Sequence, residues 1–562
     1  MPDVSEHRPF YDTINTNKLR EHKTMGSYIN PLGDGFELVL GGNFYVDKTE
    51  LITYTNAVMN TPLRFICFTR PRRFGKTFAA QMLASFYSKG ADSRRIFEKM
   101  KVAHTPCNKF DLEAPPFDRY LNRCNVLFWD MTRFVLNGDG VDKALDFLQS
   151  ELIDDLKKEF SNVDASNVRS LADMIRTVYE ATGERFYIII DEWDALFREA
   201  KNDISIQKKY IDFLRELFKD AQLTRCICGA YMTGILPIKK YGTSSALTDF
   251  SEFSMVDPGE LAEYVGFTEE EVQRICAQRN VDFKKMRYWY DGYQFDKVGH
   301  IYNPNSVIKA AFSKKFKCYW NKTETYELLK LYLDLNVEGL KEGVISMLGG
   351  QRCRIDVDSF SNDLVSVDSK NKVLTLLVHL GYLAYDSERS EVYIPNAEIR
   401  DEFIRSFRNG RRSELVKAVE LSDAILAATL EQNEDRVAEL LGKIHLAHTS
   451  PRFYANEQAL RSVVAMAYLS AVDHYARFEE IGAGRGYADI LFLPLPGTDK
   501  PALIIELKKG ESAQVAVDQI KEKRYTEVLE RHHYQGSALL IGISFETDTN
   551  HHRCRIEKTT IN

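Results

Sequence analysis

Asp489, Glu506 and Lys508, two carboxylates and an amine late in the 562-residue chain, have the types and spacing for phosphodiester chemistry. Asp489 sits in the apolar run Gly486–Leu493, the other two in Ala502–Lys508, and Pro494-Leu495-Pro496-Gly497-Thr498-Asp499-Lys500-Pro501 lies between. Apolar runs about a Pro- and Gly-rich turn predict a hairpin. The midpoint of Asp489 and Glu506 falls inside that turn, so antiparallel pairing sets the two acids opposite each other. Alternation puts Glu506 and Lys508 on one face. Such charges on a hydrophobic hairpin are costly unless compensated. A divalent cation compensates them: Asp489 and Glu506 would be oxygen ligands of Mg²⁺ or Mn²⁺. Lys508 would then orient or help deprotonate water, with the metal stabilising charge on the scissile phosphate. A cross-strand salt-bridge cluster accounts for the same residues without catalysis.

Neighbouring residues extend the set. Glu457 shares a helical stripe with Leu460, Val464 and Tyr468, and is an extra candidate metal or water ligand, or a partner of Arg461 one turn on. Gln519, on the helix expected after the Lys508 strand, could contact the site or the substrate backbone. Tyr525 is six residues later, about 240° around a continuous helix, so Gln519 and Tyr525 are not expected both to face the metal. Lys509, Lys521, Lys523 and Arg524 supply positive charge for phosphate contacts, or are merely solvated.

A second constellation lies upstream. Arg70-Pro71-Arg72-Arg73-Phe74-Gly75-Lys76-Thr77 carries the second half of a phosphate-binding loop between an expected strand and helix. Backbone N–H groups of Arg73, Phe74 and Gly75 with a helix N-terminus would cradle phosphate, Lys76 adds a point charge, and the Thr77 hydroxyl would ligate Mg²⁺. Arg70 stands where the pattern's first Gly belongs, and Arg resists positive φ. The apolar strand Phe186–Ile190 ends in Asp191-Glu192: Asp191 would hold Mg²⁺ and Glu192 would act catalytically by polarising the attacking water. Thr233, ending a further strand, is placed to sense the γ-phosphate. Taken singly, the two halves read as a helix start and a capping pair.

The elements that must position these residues alternate. Strands are expected over Leu63–Phe68, Val126–Trp129, Phe186–Ile190 and Arg225–Met232, with helices over about 77–87, 141–160, 167–181 and 204–220. Alternation implies a parallel sheet covered on both faces. Residues 1–40 read as an arm, 41–255 as the P-loop core and 256–345 as a mostly helical lid. Residues 346–405, a helix then a hairpin, suggest a winged-helix-like unit. Residues 406–562 form a second α/β unit, with helices near 413–430, 433–445 and 457–473.

Composition narrows the class. Hydrophobic residues at 44% and charged residues at 28% exclude wholesale disorder. A net charge of −7 argues against indiscriminate coating of nucleic acid and leaves a local basic groove as the alternative. Nine cysteines, without a Cys-x-x-Cys pair, read as reduced thiols. No run approaches a membrane span and the first residues lack a secretory signal, so a cytoplasmic protein without membrane contact is expected.

Several ordered motifs resemble a known family. Tyr45-Val46-Asp47-Lys48-Thr49, the Arg70–Thr77 loop, Ile190-Asp191-Glu192-Trp193-Asp194, Met232-Thr233-Gly234-Ile235, Gly266-Phe267-Thr268-Glu269-Glu270-Glu271-Val272 and Trp289-Tyr290-Asp291-Gly292-Tyr293 are similar to bacterial AAA-ATPase-like proteins. Those are linked to a C-terminal PD-(D/E)XK nuclease domain, which Asp489-Ile490, Ile504-Ile505-Glu506-Leu507-Lys508 and Gln519 through Tyr525 resemble here. The resemblance implies an α/β fold with a restriction-endonuclease-like C-terminal domain, ATP as ligand and Arg70 as a family habit. It implies nucleic acid as partner, DNA ahead of RNA, self-association through the ATPase domain, and a mobile-element or defence setting. An ATP-regulated nuclease, an ATP-driven switch or scaffold that does not cut, and an interaction module with two relic sites all fit these residues.

Overall fold

The computed structural model describes residues 28–561 apart from 43, 138–140, 201–202, 239, 242–243, 246, 321–336, 349, 361–368, 409–412, 449–459, 461–462, 465, 484–485, 496–497, 533 and 547–550. It is an α/β protein. The first unit is built on strands β1 (Phe65–Thr69), β2 (Asn125–Asp130), β3 (Phe186–Asp191), β4 (Ile227–Gly234) and β5 (Phe250–Phe253), paired in the order β2-β3-β4-β1-β5. Every pairing is parallel. Alternation along β3 shows why: Tyr187 and Ile189 join an apolar cluster with Leu83 and Phe86, while Phe186, Ile188 and Ile190 join one with Leu148, Ile175 and Leu214. A sheet apolar on both faces needs helices on both, and parallel crossovers supply them. The C-terminal strand ends share one edge, so Thr69, Asp191 and Thr233 come to the same side of the molecule.

The arm expected over 1–40 is, from residue 28, packed structure. Tyr28 and Ile29 are buried, the Asn30 N–H donates to Val126 O at 2.8 Å, and helix α1 (Asp34–Leu40) brings Phe36 to stack on Phe97 at 5.5 Å between ring centres. Its few aromatic and aliphatic residues find a core, which polar composition had masked. Residues 1–27 lie outside the described residues.

The stretch expected to be mostly helical, 256–345, also contains a three-stranded antiparallel sheet of β6 (Phe267–Thr268), β7 (Tyr293–Phe295) and β8 (Gly299–Tyr302). Strands this short carry too few alternations to be read from sequence. Beyond them, helix α4 (Lys370–His379) precedes the hairpin of β10 (Ala384–Asp386) and β11 (Glu391–Tyr393), and β9 (Cys353–Arg354) pairs beside β11. Tyr293 Oη donates to Gly381 O at 2.5 Å and its ring packs edge-on against Phe74, so this region abuts the phosphate-binding loop.

The C-terminal unit has helices Ser413–Leu430 and Glu434–His448 and a five-stranded sheet in sequence order. Its strands are β12 (Tyr475–Ala483), β13 (Gly486–Pro494), β14 (Ala502–Lys509), β15 (Gly536–Glu546) and β16 (His551–Ile561); β14 and β15 are parallel, and the other neighbours antiparallel. Leu503, Ile505 and Leu507 of β14 face the two long helices, and Ala502 and Ile504 face helix α5 (Ala513–Glu522). Much of the expected 457–473 helix falls outside the described residues. Among the described residues no helix is long and apolar enough to cross a membrane.

Candidate functional site

β1 runs into the loop that ends at helix α2 (Lys76–Tyr87). The missing first Gly costs no strain: among residues 70–77 the positive φ values fall at Arg73 (69°) and Gly75 (99°), not at Arg70. Arg70 is instead fully buried, its guanidinium over the rings of Phe68 and Phe295 and donating to Ser254 O at 2.8 Å. Burial lowers its pKa to about 9. The Phe74 side chain belongs to the core, which leaves only its backbone for a ligand, while Arg73 is exposed. A Cβ on Gly75 would meet nothing within 4 Å, so the loop is open at this position.

Lys76 Nζ donates to Pro71 O at 3.1 Å and lies 3.5 Å from Glu192 Oε1. Asp191 is buried and takes a hydrogen bond from Thr77; burial chiefly, with the Glu192 charge, raises its pKa to about 7. That is the state of a carboxylate short of cations. Glu192 sits at φ 50°. Burial works against its charge, but Lys76, Arg198 and Arg72 outweigh burial and hold its pKa below the ordinary value. β4 lies between β1 and β3, and Thr233 Oγ1 is buried there without a partner among the described residues. An open loop, an acid short of cations and an orphaned hydroxyl together fit a nucleotide phosphate with a divalent ion.

Sequence reasoning missed Arg198. It lies on helix α3 (Ala195–Glu199), with Nη2 2.5 Å from Glu192 Oε2 and Nε 3.3 Å from Asp194 Oδ2. Asp194 accepts the Leu236 N–H at 2.9 Å and so ties this clamp to the end of β4. The signal was faint: an Arg six residues past Glu192 matches no motif.

In the C-terminal unit the register is the expected one. Ile490 pairs with Ile505 and Leu491 with Ile504, which puts Asp489 opposite Glu506 where the ladder ends. There Asp489 Oδ2 accepts the Leu507 N–H at 2.8 Å, so its side chain takes over from the backbone ladder. Asp489 is 8% and Glu506 4% exposed. Gln519 of α5 donates to Glu506 Oε1, and Lys508 Nζ lies 3.5 Å from the same oxygen. Glu506 Oε2 is buried with no hydrogen-bond partner among the described residues. Burial first, then the Asp489 charge, raises the Glu506 pKa to about 7 against the offset from Lys508 and Lys523. A buried, partnerless carboxylate oxygen beside a second acid fits a divalent cation.

Tyr525 corrects an expectation. α5 ends at Glu522, and Arg524 at φ 54° turns the chain back, so Tyr525 Oη reaches Gln519 Nε2 at 3.1 Å and belongs to the site. Glu457, the extra candidate ligand, lies outside the described residues. Lys521 is engaged with Glu557 at 2.5 Å. A third cluster, Glu269, Asp291 and His300, already holds its own cation, since Arg287 Nε lies 3.8 Å from Glu269 and 3.4 Å from Asp291.

Residues 34–244 match the family described as predicted AAA-ATPase, AAA-ATPase-like, and residues 455–553 match the PD-(D/E)XK nuclease superfamily. An uncharacterized protein in the vnfD 5′ region of Azotobacter chroococcum mcd 1 is 23% identical over 297 residues, 50% of this chain and 51% of that protein. The chain thus spans about half the length of the curated relative it matches. A Walker-type ATPase of Pyrococcus abyssi is similar over 64% of this chain and 95% of its own, at 12% identity and a TM-score of 0.31. The chain joins an AAA-ATPase-like domain at residues 34–244 to a C-terminal domain of the PD-(D/E)XK nuclease superfamily at residues 455–553.

Proposed function

We propose that the chain binds and hydrolyses ATP at its first unit and cuts nucleic acid phosphodiesters with a divalent metal, Mg²⁺ or Mn²⁺, at its second. The observation that carries the nuclease reading is the meeting of Asp489 and Glu506 with Glu506 Oε2 buried and without a partner among the described residues. In this reading Asp489 and Glu506 hold the ion, and Gln519, braced by Tyr525, fixes the Glu506 carboxylate. Lys508 orients the attacking water and takes part in moving its proton. The bound ion would supply Lewis-acid stabilisation of the scissile phosphate.

At the other site, Lys76 and the backbone N–H groups of residues 73–77 bind the phosphates. Thr77 and Asp191 hold Mg²⁺, Glu192 polarises water, and Thr233 faces the terminal phosphate. Lys76 would exchange its contacts with Pro71 O and Glu192 for phosphate oxygens.

The test is cleavage of labelled DNA and RNA with Mg²⁺ and with EDTA, for the wild-type chain and Lys508→Ala. Metal-dependent cleavage lost in the variant supports the assignment; equal cleavage by both rejects the site. ATP turnover with no cleavage of either nucleic acid would leave the switch reading.

A further inference from the structure

Lys521 and Arg524 are exposed, and each has a carboxylate partner, Glu557 at 2.5 Å and Glu527 at 3.8 Å. Lys523, between them, is half-buried, and among the described residues no carboxylate lies within ion-pair distance of it. A cation drawn partly out of water without a counterion is costly unless an anion arrives.

The sheet fixes where this amine stands. Ala488 of β13 packs in one apolar cluster with Val517 and Ile520 of α5. Alternation carries Gly486 to the same face, and a Cβ on it would come within 3.1 Å of both Lys523 Cδ and Tyr525 Oη. Ala502 and Ile504 of β14 face α5 as well, so Glu506 and Lys508 do too. α5 therefore crosses three strands: Ala513 lies at Gly542 of β15, Gln519 at Glu506 of β14, and Lys523, just past the helix end, at Gly486 of β13. Two amines thus flank Glu506, Lys508 along its own strand at 3.5 Å and Lys523 from the β13 side, and both charges are felt at its carboxylate.

We propose that Lys523 is a substrate-binding residue that holds the nucleic acid backbone phosphate next to the scissile one. The proposal rests on the nuclease reading above. In that reading Lys508 serves the reacting phosphate and its water, so a second amine one strand away sets which phosphate reaches the ion. Lys523 would touch only the backbone, and so it supplies register and affinity without regard to base sequence.

The test is fluorescence anisotropy of labelled DNA, single-stranded and duplex, titrated with the full chain in Ca²⁺ across a salt series, with thermal melting as a check on folding. Lys523→Gln should weaken binding of the preferred form about fivefold to tenfold at about 0.1 M salt. It should also flatten the slope of log affinity against log salt by about 0.7–0.9, the share of one phosphate. Lys523→Arg, which keeps the charge, should stay close to wild type, and Lys521→Gln, which removes a cation already paired, should keep the wild-type slope. A wild-type slope in Lys523→Gln, or a slope lowered equally by Lys521→Gln, overturns the assignment while sparing the nuclease reading. Failure of folded wild-type protein to bind either form removes that reading, and the phosphate contact with it.

Discussion

Burial and the Asp489 carboxylate hold Glu506 up to about 7, which Lys508 and Lys523 offset only in part. A protonated carboxyl is a poor metal ligand, so the proton and the ion compete for Glu506. As pH rises through about 7 the proton leaves and affinity for Mg²⁺ should climb; below that value it should fall by about tenfold per unit. Calorimetric titration across this range checks it, with proton release appearing as a buffer-dependent heat, and an affinity flat in pH would contradict it. At the other site, Arg198 grips the carboxylate expected to polarise water. Arg198→Met should lower ATP turnover at saturation roughly tenfold or more while nucleotide affinity stays nearly constant. A loss carried by affinity alone would instead mark Arg198 as a phosphate ligand. Asp489, Glu506 and Lys508 were legible in the sequence because one turn relates them and alternation fixes their faces. Arg198 and Tyr525 were not, since their places depend on where short helices stop, and neither Gly nor Pro marks those ends.

Gly542 shows how an element places a residue. A Cβ there would overlap the Ala513 carbonyl and crowd Ala516 and Val517, so the bare backbone of β15 is what lets α5 lie on the sheet and deliver Gln519 to Glu506. Gly542→Ala should push α5 outward and cost about 1–3 kcal/mol, the usual price of overpacking. Denaturant unfolding measures the loss, and Mg²⁺ affinity should weaken alongside as Gln519 withdraws. An unchanged midpoint would mean that α5 is less tightly seated than described. Elements with clear periods were foreseeable: β3 and the helix Ile204–Lys219 lie within a residue or so of expectation. The small sheet of β6, β7 and β8 was not, because strands of two to four residues hold no readable alternation.

At the scale of the whole chain, the phosphate-binding loop is backed by distant sequence. Gly381 has φ 84°, and a Cβ on it would come within 2.7 Å of Pro71. Tyr293 bonds to its carbonyl and packs on Phe74. No motif scan could join residues so far apart, although each segment looked ordered by itself. Gly381→Ala should therefore weaken ATP binding by about tenfold without touching any phosphate-contacting group, through backbone strain and displacement of Pro71. Nucleotide titration of the folded variant reads this out, and wild-type affinity would show the loop to be independent of its support.

The central claim is that Asp489 and Glu506 share one divalent ion. Anomalous scattering from crystals soaked in Mn²⁺ tests it most directly. The account predicts a peak within bonding distance of an oxygen from each acid, with Lys508 beside it; an empty site, or an ion bound by one acid while the other turns away, would contradict it.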